Sequence, residues 1–145
     1  MWVNKDTYQA IKGKGNVTRL SDEDLPNLEK LYAAHPEAFF RPYMLNSGVY
    51  YGFIENGEIV ATAGTHALSP TYGMACMGNV FTRPPYRGRG YATACARAVV
   101  AELLINYQDI ILNVNIRNSP AVKIYDKLGF HDYCHYLEAF GQKRH

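Results

Sequence analysis

The run Val80-Phe81-Thr82-Arg83-Pro84-Pro85-Tyr86-Arg87-Gly88-Arg89-Gly90-Tyr91-Ala92 carries an apolar stretch into a loop with two glycines, and a helix-forming run opens directly from it. The first N–H groups of a helix have no partner inside it, and the helix dipole adds partial positive charge there, so such a junction can hold a phosphate. Gly88 and Gly90 let backbone donors approach an anion without side-chain obstruction, and Arg87 or Arg89 can add charge. The same residues also suit a tight turn with exposed arginines. Two familiar nucleotide loops are excluded. Gly-x-x-x-x-Gly-Lys-Ser/Thr is absent. Gly88-Arg89-Gly90 begins a Gly-x-Gly-x-x-Gly/Ala pattern, but Thr93 stands at its sixth position. Asp109 also starts the following strand, where a ribose-binding acid should end it.

A second run, Asn118-Ser119-Pro120-Ala121-Val122-Lys123-Ile124-Tyr125-Asp126-Lys127-Leu128-Gly129-Phe130, reads as a short helix. Ser119 suits the N-cap, Pro120 the first helical position and Gly129 the residue beyond the C-cap. Ala121, Ile124 and Leu128 form its apolar stripe, and Tyr125 lies about 40° from Ala121 at ~100° per residue. Its ring can pack while its hydroxyl reaches a cleft, although a tyrosine in such a place also serves packing alone. His66 lies in a strand, where histidines are commonly hydrogen-bonded structural residues. Cys76 and Cys134 have no base beside them in sequence, which disfavours a cysteine acyl intermediate.

The elements that must position these groups follow from periodicity. Residues 1–15 show no clear pattern, and Lys12-Gly13-Lys14-Gly15 reads as a flexible break. Val17–Leu20 suits a short strand. Ser21 and the acids Asp22, Glu23 and Asp24 then open a helix over about 22–34, with Leu25, Leu28, Leu31 and Tyr32 at helical spacing. Pro36 and Pro42 bracket a shorter helical or irregular piece, His35–Asn46. Residues 49–54 and 59–65 flank Asn56-Gly57, which specifies a type I′ hairpin. A turn at 69–73 leads to a strand over 74–82, where Gly78-Asn79 suggests a bulge or a close approach to the backbone. A helix over about 90–106, a buried strand at 110–112 with alternating polarity to Arg117, the helix just described and a last strand over 130–140 complete the chain. The order β-α-α-β-β-β-α-β-α-β implies a mixed sheet flanked by helices.

Composition narrows the function. The 145 residues suit one domain with a real core, and 48% are hydrophobic. Fifteen Lys and Arg against 13 Asp and Glu leave a net charge of +2, which gives no broad pull toward nucleic acid or an anionic membrane. No apolar run approaches the ~18 residues of a membrane span, and the N-terminus lacks the apolar stretch of a signal peptide. Cys76, Cys95 and Cys134 are odd in number and far apart, so they read as reduced, mostly buried thiols of a cytoplasmic protein, with no metal site.

Taken together, the two runs resemble the GNAT superfamily of acetyl-CoA-dependent N-acetyltransferases. Arg87-Gly88-Arg89-Gly90-Tyr91-Ala92 matches its Arg/Gln-x-x-Gly-x-Gly/Ala signature, and Asn118-x-x-Ala121-x-x-x-Tyr125-x-x-x-Gly129-Phe130 matches its second motif. The likeness covers about residues 17–138 and is strongest over 78–130. It is closest to the branch with Ala63-Gly64-Thr65-His66 and Gly78-Asn79-Val80 before the loop.

The resemblance implies a single N-acetyltransferase domain over 1–145, with 1–15 as an N-terminal extension. Its α/β fold would be a mixed, mostly antiparallel sheet of six to seven strands flanked by about four helices, with a bulged and splayed central strand pair. Backbone groups of Val80, Phe81 and Thr82 would bind the pantetheine arm of acetyl-CoA. The loop and helix start, Arg87, Gly88, Arg89, Gly90, Tyr91, Ala92 and Thr93, would hold the pyrophosphate. Asn113, Asn118 and Tyr125 would lie on the other wall, with Tyr125 as general acid to the departing thiolate.

The chain departs from many relatives in having no acid over 74–82, which leaves a water-relayed base, a minor neutral amine or His66. The acceptor amine is not named by any motif over 22–47, where the superfamily places specificity. A non-catalytic acyl-CoA-binding module is the alternative of a different class. Only 15 residues follow Phe130. A seventh strand is therefore lost, supplied by 1–12, or exchanged in a homodimer whose contact would cover the 130–140 edge.

Overall fold

The computed structural model describes residues 1–12, 15–35, 38–139 and 141. Strands β1 (Trp2–Asn4) and β2 (Thr18–Arg19) precede helices α1 (Leu25–Ala33) and α2 (Pro42–Ser47). The hairpin β3 (Tyr51–Glu55) and β4 (Glu58–Ser69) follows, then β5 (Met74–Thr82), α3 (Tyr91–Asn106), β6 (Asp109–Ile111) and α4 (Ser119–Lys127). The six strands form one sheet in the order β1-β6-β5-β4-β3-β2, antiparallel except for β5 beside β6. Asn56 and Gly57 both take positive φ, 52° and 78°, as the I′ turn requires. The acidic run 22–24 forms a 3-10 turn ahead of α1, and Asp24 accepts the Ser21 N–H at 2.9 Å.

Helices cover both faces of the sheet. On one, α3 sets Val99, Val100 and Leu103 against Ala61, Ala63, Ala75 and Met77, and its alanines at 94 and 96 permit the close approach. On the other, Leu28, Leu31 and Tyr32 of α1 pack with Met44 and Leu45 of α2 on Tyr50 and Ile59. Each fully buried aliphatic side chain contributes roughly 1.5–3 kcal/mol.

The last strand expected over 130–140 does not form. His131 makes a single bridge to Trp2, and 132–139 run on without regular structure; Phe140 lies outside the described residues. The place beside β6 is taken by β1, which pairs Trp2, Val3 and Asn4 with Ile111, Ile110 and Asp109. The N-terminal segment thus stands beside β6 in a sheet of six strands, and no seventh strand forms among the described residues. Val3, fully buried, explains why the short strand holds. The N-cap of α4 is Asn118 and not Ser119, because its Oδ1 reaches the Ala121 N–H at 3.3 Å. Cys134 is exposed, against the expectation of mostly buried thiols, because the strand that would have buried it is missing. Of the break expected at Lys12–Gly15, residues 13 and 14 lie outside the described residues, as does Pro36.

Two bulges and a splay shape the middle of the sheet. Between β4 and β5 the register passes from Gly64↔Gly78 to Thr62↔Phe81, so Asn79 and Val80 together oppose Ala63. Asn79 takes φ 51° there. A second shift, between Thr65↔Met77 and Ala67↔Cys76, makes His66 the extra residue of β4. β5 pairs with β6 only through Met74–Cys76, after which its remaining residues have no neighbour on that side among the described residues.

Candidate active site

Beyond Cys76 and Ile111, β5 and β6 no longer pair, which leaves a cleft between Met77–Thr82 and residues 112–115. Tyr125 belongs to the core cluster beneath it, together with Leu112, and half-buried Val80 and Val114 pack on that cluster. The stripe of α4 differs from the periodicity: Tyr125 is buried with Leu128, whereas Ala121 and Ile124 are half-buried. The Tyr125 ring meets Phe130 edge to face at 5.8 Å. Burial alone pushes its hydroxyl up to about 12, so at neutral pH it keeps its proton and is available as a donor.

At the far end of β5 the chain makes a 3-10 turn at Pro84–Tyr86 and enters the glycine loop. Gly88 and Gly90 take φ 74° and 87°, a left-handed backbone that side chains disfavour, and a Cβ on either would meet nothing within 4 Å. The loop surface is thus open on both glycines. The first bond of α3 runs from Ala94 N–H to the Gly90 carbonyl, so the N–H groups of Tyr91, Ala92 and Thr93 precede the helical ladder. No acid stands in this first turn. Arg87 Nε donates to the Thr82 carbonyl at 3.1 Å, and Arg89 Nη2 to that of Pro85 at 3.3 Å. Both side chains are exposed at the mouth of the loop.

The side chain of Tyr91 is committed elsewhere: its ring stacks on Phe53 at 3.8 Å and its hydroxyl donates to Glu55. Only its backbone faces the loop's task. Glu55 Oε1 also stands 4.0 Å from Arg89, so an incoming anion meets a partly neutralised arginine. Asn118 is exposed and caps α4, and Asn113 is exposed beyond the end of β6.

On the opposite face of β5, residues 32, 50 and 79 converge. The Tyr32 hydroxyl donates to the Asn79 carbonyl at 2.5 Å, and Asn79 Nδ2 donates to the Tyr50 hydroxyl at 2.9 Å. That hydroxyl donates in turn to the Thr65 carbonyl at 2.9 Å. Two tyrosines therefore clamp the bulge. Burial raises both hydroxyls, Tyr50 to about 12, and keeps the clamp neutral. Nothing in the spacing of 32, 50 and 79 marks them as partners, because only the fold brings them together; Gly78-Asn79 within a strand was the one signal. Among the described residues no three His, Cys, Asp or Glu side chains gather as a metal site would need, and no helix is long and apolar enough to cross a membrane.

A GNAT-family protein from Novosphingobium aromaticivorans, assigned as an acetyltransferase, superposes with a TM-score of 0.77 at 26% identity; the match covers 90% of this chain and 57% of that one. One from Agrobacterium tumefaciens gives 0.68 at 22%, covering 88% and 100%. An aminoglycoside N-acetyltransferase in complex with CoA gives 0.68 at 16%, covering 89% and 99%. No curated protein matches the chain. Residues 17–130 match the acetyltransferase (GNAT) family, and the chain belongs to it.

Proposed function

We propose that the protein transfers the acetyl group of acetyl-CoA to a primary amine, by direct attack of the amine on the thioester. What supports this reading is the splay of β5 from the residues after β6, with the unpaired N–H groups of α3 at one end and Tyr125, buried and neutral, in the core cluster on which Val80 and Val114 pack. The open glycine surfaces leave room for a pyrophosphate. Acetyl-CoA supplies the activated acyl group when bound. The donors of Gly88, Arg89, Gly90, Tyr91, Ala92 and Thr93 would hold the phosphates, and Arg87 and Arg89 would add charge. Val80, Phe81 and Thr82 would line one side of the pantetheine arm, and Asn113 and Asn118 the other. The Val80 N–H is the donor for the thioester oxygen as it gains negative charge. Tyr125 donates to the departing sulfur. Three free cysteines suit a reducing, cytoplasmic setting.

A homodimer belongs to this reading too, now on the ground that Tyr133, Tyr136 and Leu137 are 76%, 58% and 100% exposed along 132–139. Sedimentation at micromolar concentration tests it, and a mass that stays monomeric would remove it.

The main test is a melt with and without CoA, followed by thiol release from acetyl-CoA against an aminoglycoside, a polyamine, free amino acids and peptides with free N-termini. A melting temperature that rises with CoA and steady release with one of these amines is expected. An unchanged melt in saturating CoA would overturn the site. Binding without release from any amine would make the domain an acyl-CoA-binding module.

A further inference from the structure

The bulge that makes His66 the extra residue of β4 also re-aims its side chain. A Cβ built on Gly78 would lie 2.5, 2.6 and 2.7 Å from Cε1, Nε2 and Nδ1 of His66. Three ring atoms at nearly one distance mean that the imidazole lies flat over the Gly78 backbone, in the space a side chain at 78 would fill. Gly64, paired with Gly78, is covered in the same way by the Tyr50 ring. Tyr50 and His66 thus roof the glycine pair beside the Asn79 bulge, on the face where Tyr32 and Tyr50 hold that bulge.

His66 differs from Tyr50 in two respects. It is exposed, and it lines a cavity of about 400 Å³ with Met44, Gly48, Thr65 and Tyr107. The neighbouring hydrogen bonds join Val49 to Thr65, Tyr50 to Thr65 and Asn79 to Tyr50, and pass the imidazole by. No carboxylate lies on β5 to take a proton.

We infer that His66 is the general base toward the acceptor amine, placed by the β4 bulge in the space left by Gly78. This rests on the acetyltransferase reading above. A ring nitrogen takes one proton from the substrate ammonium. The freed lone pair forms the C–N bond, and the C–S bond breaks with its electrons on sulfur. The second nitrogen-borne proton passes to that sulfur through the Tyr125 hydroxyl. Amide and free thiol result, and His66 returns its proton to solvent. The groups facing the imidazole do not compete for that proton. Tyr50 and Cys76, the latter two residues from Gly78 on the same face of β5, are both held protonated by burial. Helix α2 lends the cavity Met44 and Ser47, and among the described residues the only other titratable lining group is Tyr107.

The experiment uses the full chain, acetyl-CoA and the amines of the panel above that the wild type turns over. His66→Ala and His66→Gln should lower kcat/KM about 10²–10⁴-fold, the usual range for a general base. The CoA-induced rise in melting temperature should stay unchanged. Free imidazole should restore much of the His66→Ala rate, and the ascending limb of the pH profile should move to higher pH, since the amine must then shed its proton to solvent. Independently of turnover, the His66 Cε1–H resonance, assigned by its loss in His66→Gln, should shift when the amine is added to the CoA complex. Loss of rate without imidazole rescue, or with an equal fall in the CoA-induced shift, would overturn the proposal and make the ring a packing element. A wild-type rate in either variant would overturn it as well. Wild-type protein that binds CoA but acetylates nothing would instead overturn the reading beneath it.

Discussion

The Phe130 N–H donates to the carbonyl of Tyr125 at 3.0 Å, while the Gly129 N–H reaches that of Asp126 at 3.0 Å. These two bonds close α4 in a Schellman motif, and the edge-to-face contact of Phe130 on Tyr125 is the apolar pairing that accompanies it. The cap that ends the helix therefore also fixes the ring of the proposed proton donor.

Tyr125→Phe keeps that ring contact and removes only the donor. A fall in kcat of roughly 10²–10⁴-fold is expected, with CoA affinity little changed. Thiol release beside a CoA titration checks it. Equal losses in rate and affinity would mark Tyr125 as a binding residue, and no loss in either would leave it a packing residue.

Gly88→Glu and Gly90→Glu place a carboxylate and bulk on the open loop surface. At CoA 100 times Kd, ligand linkage stabilises the wild type by about 2.7 kcal/mol, and both variants should lose that gain. Gly88→Asn is the control: asparagine tolerates the left-handed backbone found there and brings no charge. It should keep more of the shift than either glutamate. If all three melt like the wild type with CoA, the phosphates bind elsewhere.

How much of this was written in the sequence depends on distance along the chain. The Asn56-Gly57 turn, strand 74–82 and the Gly88–Gly90 helix start are local signals, and the fold keeps them nearly residue for residue. The bulge at Asn79 was legible because a glycine and an asparagine interrupt an uncharged strand. Its clamp was not, since Tyr32 and Asn79 lie 47 residues apart. The final strand failed for a related reason. Residues 130–140 carry strand-forming side chains, but the edge they would pair with is already filled by Trp2–Asn4, which is too short for any periodicity to register. Asn118 outcompetes Ser119 as cap because the choice turns on backbone geometry one residue apart.

Alkaline pH should expose the buried tyrosines. Unfolded, a tyrosine ionises near pH ~10; folded, Tyr50 and Tyr125 hold their protons to about 12, and Tyr32 is raised as well. Below pH ~10 both states are protonated and these groups add no pH dependence. Between 10 and 12 the unfolded chain releases protons first, so stability falls, by roughly 2–3 kcal/mol for each of Tyr50 and Tyr125. Denaturant melts at pH 9 to 12 should show the decline, and Tyr125→Phe should make it shallower. A flat stability curve over that range would show that these hydroxyls ionise freely in the fold.

Deleting residues 1–12 should cost more than trimming an extension usually does. Met1 and Leu112 exchange two bonds, the Met1 amine to the Leu112 carbonyl at 2.9 Å and the Leu112 N–H to the Met1 carbonyl at 3.0 Å. Trp2 and His131 exchange two more at 2.9 Å, and the Gln9 N–H reaches the Leu128 carbonyl at 3.1 Å. Beside them, a Cβ on Gly129 would lie 2.0 Å from the Thr7 carbonyl, which shows how tightly this segment is seated on the end of α4. At ~1 kcal/mol net for each backbone bond and ~2 kcal/mol for burying Val3, the truncation removes several kcal/mol, a large share of the 5–15 kcal/mol typical of a domain. It also bares the outer edge of β6, an unpaired strand beside the cleft. Hydrogen exchange should show amides of Ile110 and Leu112 losing protection in the truncated chain, together with a lower melting temperature and concentration-dependent association. Unchanged protection at 110–112 would mean that β1 is not what covers that edge.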